Sequence, residues 1–367
     1  MMITTKAPRE YISGIDILGK VGERLSAIAH RAMIIGGKTA LARVGEELLS
    51  GLDRQKIRHT TAVLTGYPTL EAGEIFSEKA KESGSDAIIG IGGGRAMDAA
   101  KAAGFFSGIP VVTVPTIAAT CAAYAGCSIL YDDQGVFLET LNLERSPDLI
   151  FADYAVLAKA PVRYLRAGIA DTLAKWYEFE PTLRRHADLY LRLRVKDAEL
   201  AREILWEKAG PAVDAAIRHE PSREFSDVAD AVLFLAGVAG SVKGDLFYGG
   251  FAHPFYNCLS RIPETRGGLH GEKVSFGLVV EAVLEGRTDA EKKGLVRLLA
   301  ALKQPLTLEA LGIRTDVPGA VALVAEKLAG SLRDYPMPAR PLSPEEIAKA
   351  IFEADRIGRS AVDAIAP

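Results

Sequence analysis

The stretch Ile88-Ile89-Gly90-Ile91-Gly92-Gly93-Gly94-Arg95-Ala96-Met97-Asp98-Ala99-Ala100-Lys101 decides how the N-terminal half folds. An apolar run ends in three consecutive glycines, and an alanine-rich segment of helical character follows directly. Bare glycines let the backbone approach a ligand closely, and the helix start offers N–H groups and a favourable dipole to a pyrophosphate. One glycine would serve a tight turn; three point to phosphate. The stretch is not the standard dinucleotide fingerprint, because Arg95 stands where G-x-G-x-x-G has its last glycine. No acid ends a strand about 20 residues later, and several strands precede the turn. The expectation is a Rossmann-like unit with a non-standard fingerprint.

Outward from this turn, short apolar strands alternate with amphipathic helices. Ala32–Ile35, Thr61–Leu64, Asp86–Ile91 and Val111–Val114 read as strands, and Ala40–Leu49, Leu70–Glu82 and Ala96–Phe106 as helices. That alternation predicts a parallel sheet covered on both faces. Further strand-like pieces follow at Ser128–Tyr131 and Leu149–Phe151. Beyond Asp153 the spacing becomes helical throughout, as in Ala187–Ile204, Asp227–Val242, Val274–Leu284 and Ile347–Ile357, with Pro161, Pro181, Pro211 and Pro221 as starts and stops. The expected organisation is an α/β nucleotide-binding domain over 1–158 and an all-α domain over 159–367, with ligands in a cleft between them.

The composition fits a large buried core. The 367 residues are 49% hydrophobic and 25% charged, which excludes overall disorder. The 44 basic and 47 acidic residues leave a net charge of −3, so neither nucleic acid nor a polybasic membrane contact is expected. Ala102 to Tyr131 carries no charge, yet Pro110, Pro115 and its glycines interrupt it, so buried strands and a loop account for it better than a membrane span. Three cysteines, Cys121, Cys127 and Cys258, are too few for a disulfide framework and suit a reducing, cytoplasmic setting.

Two further places bear on cofactor and metal. The strand Ala32–Ile35 ends in Gly36-Gly37-Lys38, with no acid to bond a ribose 2′-hydroxyl and a cation in its place. A solvated turn would read the same way; the sharper reading is NADP in preference to NAD, with Lys38 pairing the 2′-phosphate. Asp171 lies in a helical, apolar stretch, and His253 and His270 lie in the glycine-rich segments Gly249–Pro254 and Gly267–Lys273. One carboxylate and two imidazoles leave positions open, as a catalytic metal site needs. Singly, each has a structural reading, as a capping acid or a core histidine. His30, His59, His186 and His219 read as surface residues.

Taken in order, the glycine triplet with Asp98 and Lys101, Val114–Thr120, Gly168–Asp171, Ala252-His253 and His270–Val274 resemble the iron-containing (group III) alcohol dehydrogenase superfamily, in its glycerol dehydrogenase-like branch. The resemblance runs from about residue 10 to residue 355. It implies the dehydroquinate synthase-like/glycerol dehydrogenase-like fold, a metal held by Asp171, His253 and His270, and a homo-oligomer. It implies cofactor contacts from Gly92, Gly93, Gly94, Asp98, Thr116 and Thr120, to which the motif adds Lys101 and the earlier strand end adds Gly36, Gly37 and Lys38. Typical glycerol dehydrogenases carry an Asp at the position of Cys121, near the substrate, and a second histidine at the position of Tyr256. The segments around Thr116–Ala123 and Asp171–Glu178 look closer to a sister group that reduces 2-oxo acids, often with NADPH.

The expected activity is therefore metal-dependent, NAD(P)-linked interconversion of a small secondary alcohol and its carbonyl compound, with a 2-hydroxy acid favoured and Zn²⁺ slightly preferred to Fe²⁺. Tyr256 or Tyr124 would relay the proton, and Arg266, Lys175 or Lys273 would pair a substrate carboxylate. The alternatives are a glycerol or diol dehydrogenase, a dehydroquinate synthase-like cyclase, and an inert nucleotide-binding protein. A facial-triad oxygenase would share the ligand types but not the glycine turn.

Overall fold

The computed structural model describes residues 3–186, 188–244, 250–332 and 341–363. Gly249 and Ala187, each at the start of a stretch quoted above, lie outside them. By internal packing the chain forms an α/β unit, 5–165 with 211–241, and a helical unit, 1–4 with 166–210 and 242–367.

The strands are β1 (Ile3–Thr5), β2 (Glu10–Gly14), β3 (Arg31–Gly36), β4 (Arg58–Val63), β5 (Ala87–Gly92), β6 (Val111–Pro115), β7 (Cys127–Tyr131), β8 (Phe137–Asn142), β9 (Leu149–Asp153) and β10 (Val242–Gly244). Among the described residues the main sheet has the order β2-β9-β6-β5-β3-β4, and its paired strands run parallel. Its side chains alternate between two cores, as a pleat of period two requires. On one face Ile34, Ile89, Ile91, Val112 and Val114 pack under Val44, Leu48 and Leu52 of the helix Lys38–Arg54. On the other, Met33, Ile35 and Ile88 meet Phe76 and Ala80 of the helix Leu70–Glu82 and Ala99, Ala100 and Ala103 of the helix Gly94–Ser107. Each fully buried Ile contributes about 1.5–3 kcal/mol by leaving water.

The strand order has a functional consequence. From β3 the chain adds β4 on one side and then β5 on the other, so the direction of winding reverses between β3 and β5. Ligands of open α/β sheets bind at the carboxyl ends of the strands flanking such a reversal. Gly36 pairs with Ile91 there, so the Gly36-Gly37-Lys38 turn and the glycine triplet share one edge of the sheet.

Three expectations need correction. Residues 211–241, expected with the helical half, pack in the α/β unit because Asp230 accepts hydrogen bonds from Tyr11 Oη (2.8 Å), Tyr154 Oη (2.7 Å) and Ser13 Oγ (3.2 Å). Phe234 also stacks on Tyr11 with ring centres 4.9 Å apart. Pro161 and Pro221 do precede helices, but Pro181 and Pro211 lie inside the helices Val162–Leu183 and Leu189–Ile217. Packing overrides the lost N–H at both, though the two units divide between Gly210 and Pro211. Finally, the otherwise helical C-terminal half holds one short strand, β10, which pairs with β1, while β7 and β8 form a separate antiparallel hairpin within the α/β unit. Among the described residues no helix is long and apolar enough to cross a membrane.

Candidate functional site

In the α/β unit, β5 delivers the glycine triplet to the carboxyl edge of the sheet. Gly92 adopts φ +143°, where a side chain is strained, and its Cβ would meet that of Ala96 at 2.9 Å. Gly93 is the N-cap of the helix Gly94–Ser107 and no side chain caps it, which leaves the first N–H groups to a ligand. A crevice over this turn is lined by Gly92, Gly93, Gly94, Met97, Pro115, Ile117, Ala119, Thr120, Ala122, Ala123 and Leu233. Thr120 is on this wall, with its Oγ1 accepting from the N–H of Ala122 at 3.2 Å. Thr116 is buried beside it, its N–H donating to the Gly92 carbonyl at 2.9 Å. Cys121 is half-buried between two lining residues. Lys38 is exposed at the start of its helix, next to the same edge.

Asp98 and Lys101, expected at the cofactor, are engaged within the protein. They pair with each other at 3.0 Å inside the unit, and Lys101 Nζ also donates to the carbonyls of Ala125 and Cys127. Ser128 Oγ donates to the Asp98 carbonyl at 2.6 Å. These bonds fasten the helix to β7. Neither residue lines the crevice.

In the helical unit, Asp171, His253 and His270 come together from three segments separated by up to 99 residues. Glycines make the approach possible. A Cβ on Gly271 would sit 1.9 Å from the Ala167 carbonyl oxygen, so the start of the helix His270–Leu284 lies directly on the helix bearing Asp171. A Cβ on Gly250 would sit 1.9 Å from Glu178 Cγ, which brings the segment of His253 against the same helix. Glu272 accepts from the Leu269 N–H at 2.8 Å and fixes the helix start that presents His270.

The ligand atoms converge. Nε2 of His253 and Nε2 of His270 lie 3.1 and 3.0 Å from Oδ1 of Asp171, and one donor atom from each residue lies within 4.8 Å of the others. Donors on a four-coordinate ion with ligand distances of about 2.0–2.2 Å are separated by roughly 3.3 Å, so the set fits a divalent metal. The orientation of His253 is set from behind: its Nδ1–H donates to Oε2 of Glu178 at 2.7 Å, and its backbone N–H to Oε1 at 2.9 Å. With the Nδ1 proton engaged, Nε2 is the ring atom aimed at Asp171, the carboxylate–histidine arrangement that orients metal ligands. Burial would raise the Asp171 carboxyl, yet Lys175 and the two imidazoles hold it well below the usual range. Burial would likewise depress His253, but Glu178 and Asp171 outweigh it and push the ring up to about 9. For His270 burial prevails and its pKa is lowered.

Three other residues singled out from the sequence are placed here. Tyr256 is buried with its ring edge-on to His270, the centres 4.2 Å apart. Lys175 Nζ stands 3.0 Å from Nε2 of His253. Lys273 is buried with its ammonium 5.5 Å from the centre of the Tyr256 ring, whereas Arg266 is exposed. Tyr124 belongs to the α/β unit, buried near Tyr11 and Phe234.

The sequence and the fold both match known proteins. The family model of iron-containing alcohol dehydrogenase matches residues 8–154. A glycerol dehydrogenase of Escherichia coli O6:H1 is 32% identical over 362 residues, covering 96% of this chain and 97% of its own.

The chain belongs to the iron-containing alcohol dehydrogenase family.

A second relative, hydroxycarboxylate dehydrogenase A of Escherichia coli K12, is 36% identical over 290 residues, covering 77% of this chain and 78% of its own. The crystal structure of a probable glycerol dehydrogenase from Sinorhizobium meliloti superposes with a TM-score of 0.89 at 27% identity, covering 97% of this chain and 99% of that one. The fold is thus the glycerol dehydrogenase, or dehydroquinate synthase-like, fold, and this family member is an oxidoreductase of the alcohol dehydrogenase class.

Glu178 is the residue that sequence reading missed. Its signal was the spacing Asp171, Lys175, Glu178, which is i, i+4, i+7 on one helix face. Glu178→Gln should weaken metal affinity about 10- to 100-fold, as loss of an orienting partner does. Competition titration against a chelator checks this, and unchanged affinity would remove Glu178 from the site.

Proposed function

We propose that the chain is a metal-dependent, nicotinamide-linked dehydrogenase that interconverts a small 2-hydroxy acid and its 2-oxo acid. The observation that carries this reading is the convergence of Asp171, His253 and His270, backed by Glu178. These three would hold one divalent ion, with Zn²⁺ slightly preferred to Fe²⁺. When bound, such an ion supplies Lewis-acid polarisation of the substrate oxygen. The chain's own residues do the remaining work. Asp171 brings a charge already ionised, and Glu178 keeps Nε2 of His253 turned inward. Buried Tyr256 packs against His270 and excludes water from that side. The Gly92–Gly94 turn supplies uncapped N–H groups for a pyrophosphate.

Oxidation of glycerol or another diol is the second reading, supported by the glycerol dehydrogenase relatives and by the same ligand set. The cyclase reading loses support, because the relatives are dehydrogenases and the first ligand is an aspartate. An intact ligand set argues against an inert protein. Assay of glycerol, other diols and 2-oxo acids against both nicotinamides separates the readings. Fast NADPH consumption with a 2-oxo acid supports the proposal, and turnover confined to diols contradicts it.

The cofactor preference follows from the turn after β3. An exposed Lys38 and no acid at that strand end favour a 2′-phosphate. The efficiency kcat/KM should favour NADPH over NADH, and Lys38→Glu should reduce the NADPH value about 10-fold or more. A wild-type preference for NADH would contradict this assignment.

A further inference from the structure

The fold sorts the three cations that could meet a substrate carboxylate. Arg266 is exposed, and Lys273 is buried against the Tyr256 ring. Lys175 alone of the three lies beside a ligand atom, with Nζ 3.0 Å from Nε2 of His253. The helix dictates this placement. Lys175 stands one turn beyond Asp171 and one before Glu178, so all three side chains project from one face. An ammonium has no lone pair with which to ligate a metal. Once Nε2 of His253 serves as a ligand, it no longer accepts from Lys175, and the ammonium stands as a cation beside the ligand set.

We infer that Lys175 is the residue that binds the carboxylate of a 2-oxo or 2-hydroxy acid and thereby selects acids over neutral polyols. The inference rests on the dehydrogenase reading above and supplies the residue on which its two substrate readings differ. The local charge count agrees. Asp171 and Glu178 bring two negative charges, a divalent ion two positive ones, and Lys175 adds one more positive charge. A monoanionic acid neutralises the charge that Lys175 adds, whereas without Lys175 the two carboxylates and the ion balance, with Lys273 held apart over the Tyr256 ring, which suits an uncharged polyol better than an acid. The ammonium also gives the carboxylate a charge-assisted hydrogen bond, which fixes its orientation relative to the carbonyl carbon.

The test uses oxamate, an unreactive 2-oxo acid analogue, titrated calorimetrically into zinc-loaded wild type, Lys175→Met, Lys175→Gln and Lys175→Arg proteins. Metal content is measured on each. Oxamate should bind about 10- to 100-fold more weakly to the Met and Gln proteins, with partial recovery in the Arg protein. The ratio of kcat/KM for pyruvate to that for hydroxyacetone should fall by a similar factor. Metal-loaded Met and Gln proteins with undiminished oxamate affinity and an unchanged ratio would overturn the inference. Failure of the underlying reading shows separately: wild type that binds no metal and turns over neither ketone with NADPH or NADH overturns that reading, and the assignment of Lys175 with it.

Discussion

The His270→Ala protein is expected to lose its divalent ion and at least about 10³-fold of its turnover. Two imidazoles share Oδ1 of Asp171 at 3.0 and 3.1 Å, so removing one leaves only a carboxylate and a single nitrogen. Two protein ligands fall short of the three that a catalytic zinc site requires. The lost Lewis acid is worth several kcal/mol of barrier, and each 1.36 kcal/mol is tenfold in rate. Plasma mass spectrometry of the purified protein gives the metal count and an NADPH-linked assay gives the rate. His30→Ala is the control, because His30 is exposed. Equal metal and equal turnover in His270→Ala and wild type would remove His270 from the site.

The second large effect is predicted at a residue with no chemistry of its own. Gly271→Ala places a Cβ 1.9 Å from the Ala167 carbonyl oxygen, and backbone on both sides leaves no flexible side chain to yield. Overpacking of this kind costs about 3 kcal/mol, and a separation of the two helices would relieve it. That separation moves His270 away from Asp171, so metal affinity and thermal stability should fall together, the apparent unfolding midpoint by roughly 5 °C. Gly267→Ala is the matched comparison, since a Cβ there meets nothing within 4 Å. Scanning calorimetry with and without zinc measures both. A Gly271→Ala protein as stable and as tightly metallated as wild type would show that close helix contact does not assemble the site.

The legible part of this protein is its local part. The glycine triplet announced itself because a strand, a turn and a helix are contiguous, and the helix Leu70–Glu82 has the bounds that its periodicity predicts. Strands β2 and β8 escaped, because half-exposed strands with mixed residues lack the apolar run of a central strand. Long-range features were the hardest. Asp230 meets Tyr11 across 219 residues of chain, and nothing near either residue signals that a helix from the second half packs on the α/β unit. The partners of Lys101 were not readable either: a lysine next to a glycine turn suggests phosphate, and nothing in the sequence signals that its ammonium also pairs with Asp98 and donates to two carbonyls. Asp171, His253 and His270 were readable as one carboxylate and two imidazoles of a metal site, but singly each had a structural reading, and the family resemblance strengthened the grouping before the fold brought them together. Glu178 and Lys175 gained their meaning from that helix face, where each stands beside His253.

The most direct measurement is the metal content of the purified protein, taken together with NADPH-linked reduction of a 2-oxo acid before chelation, after it, and after zinc is restored. The site built by Asp171, His253 and His270 predicts one ion per chain, activity lost with the ion and recovered with it. Protein that turns over at the same rate with the ion removed would contradict it.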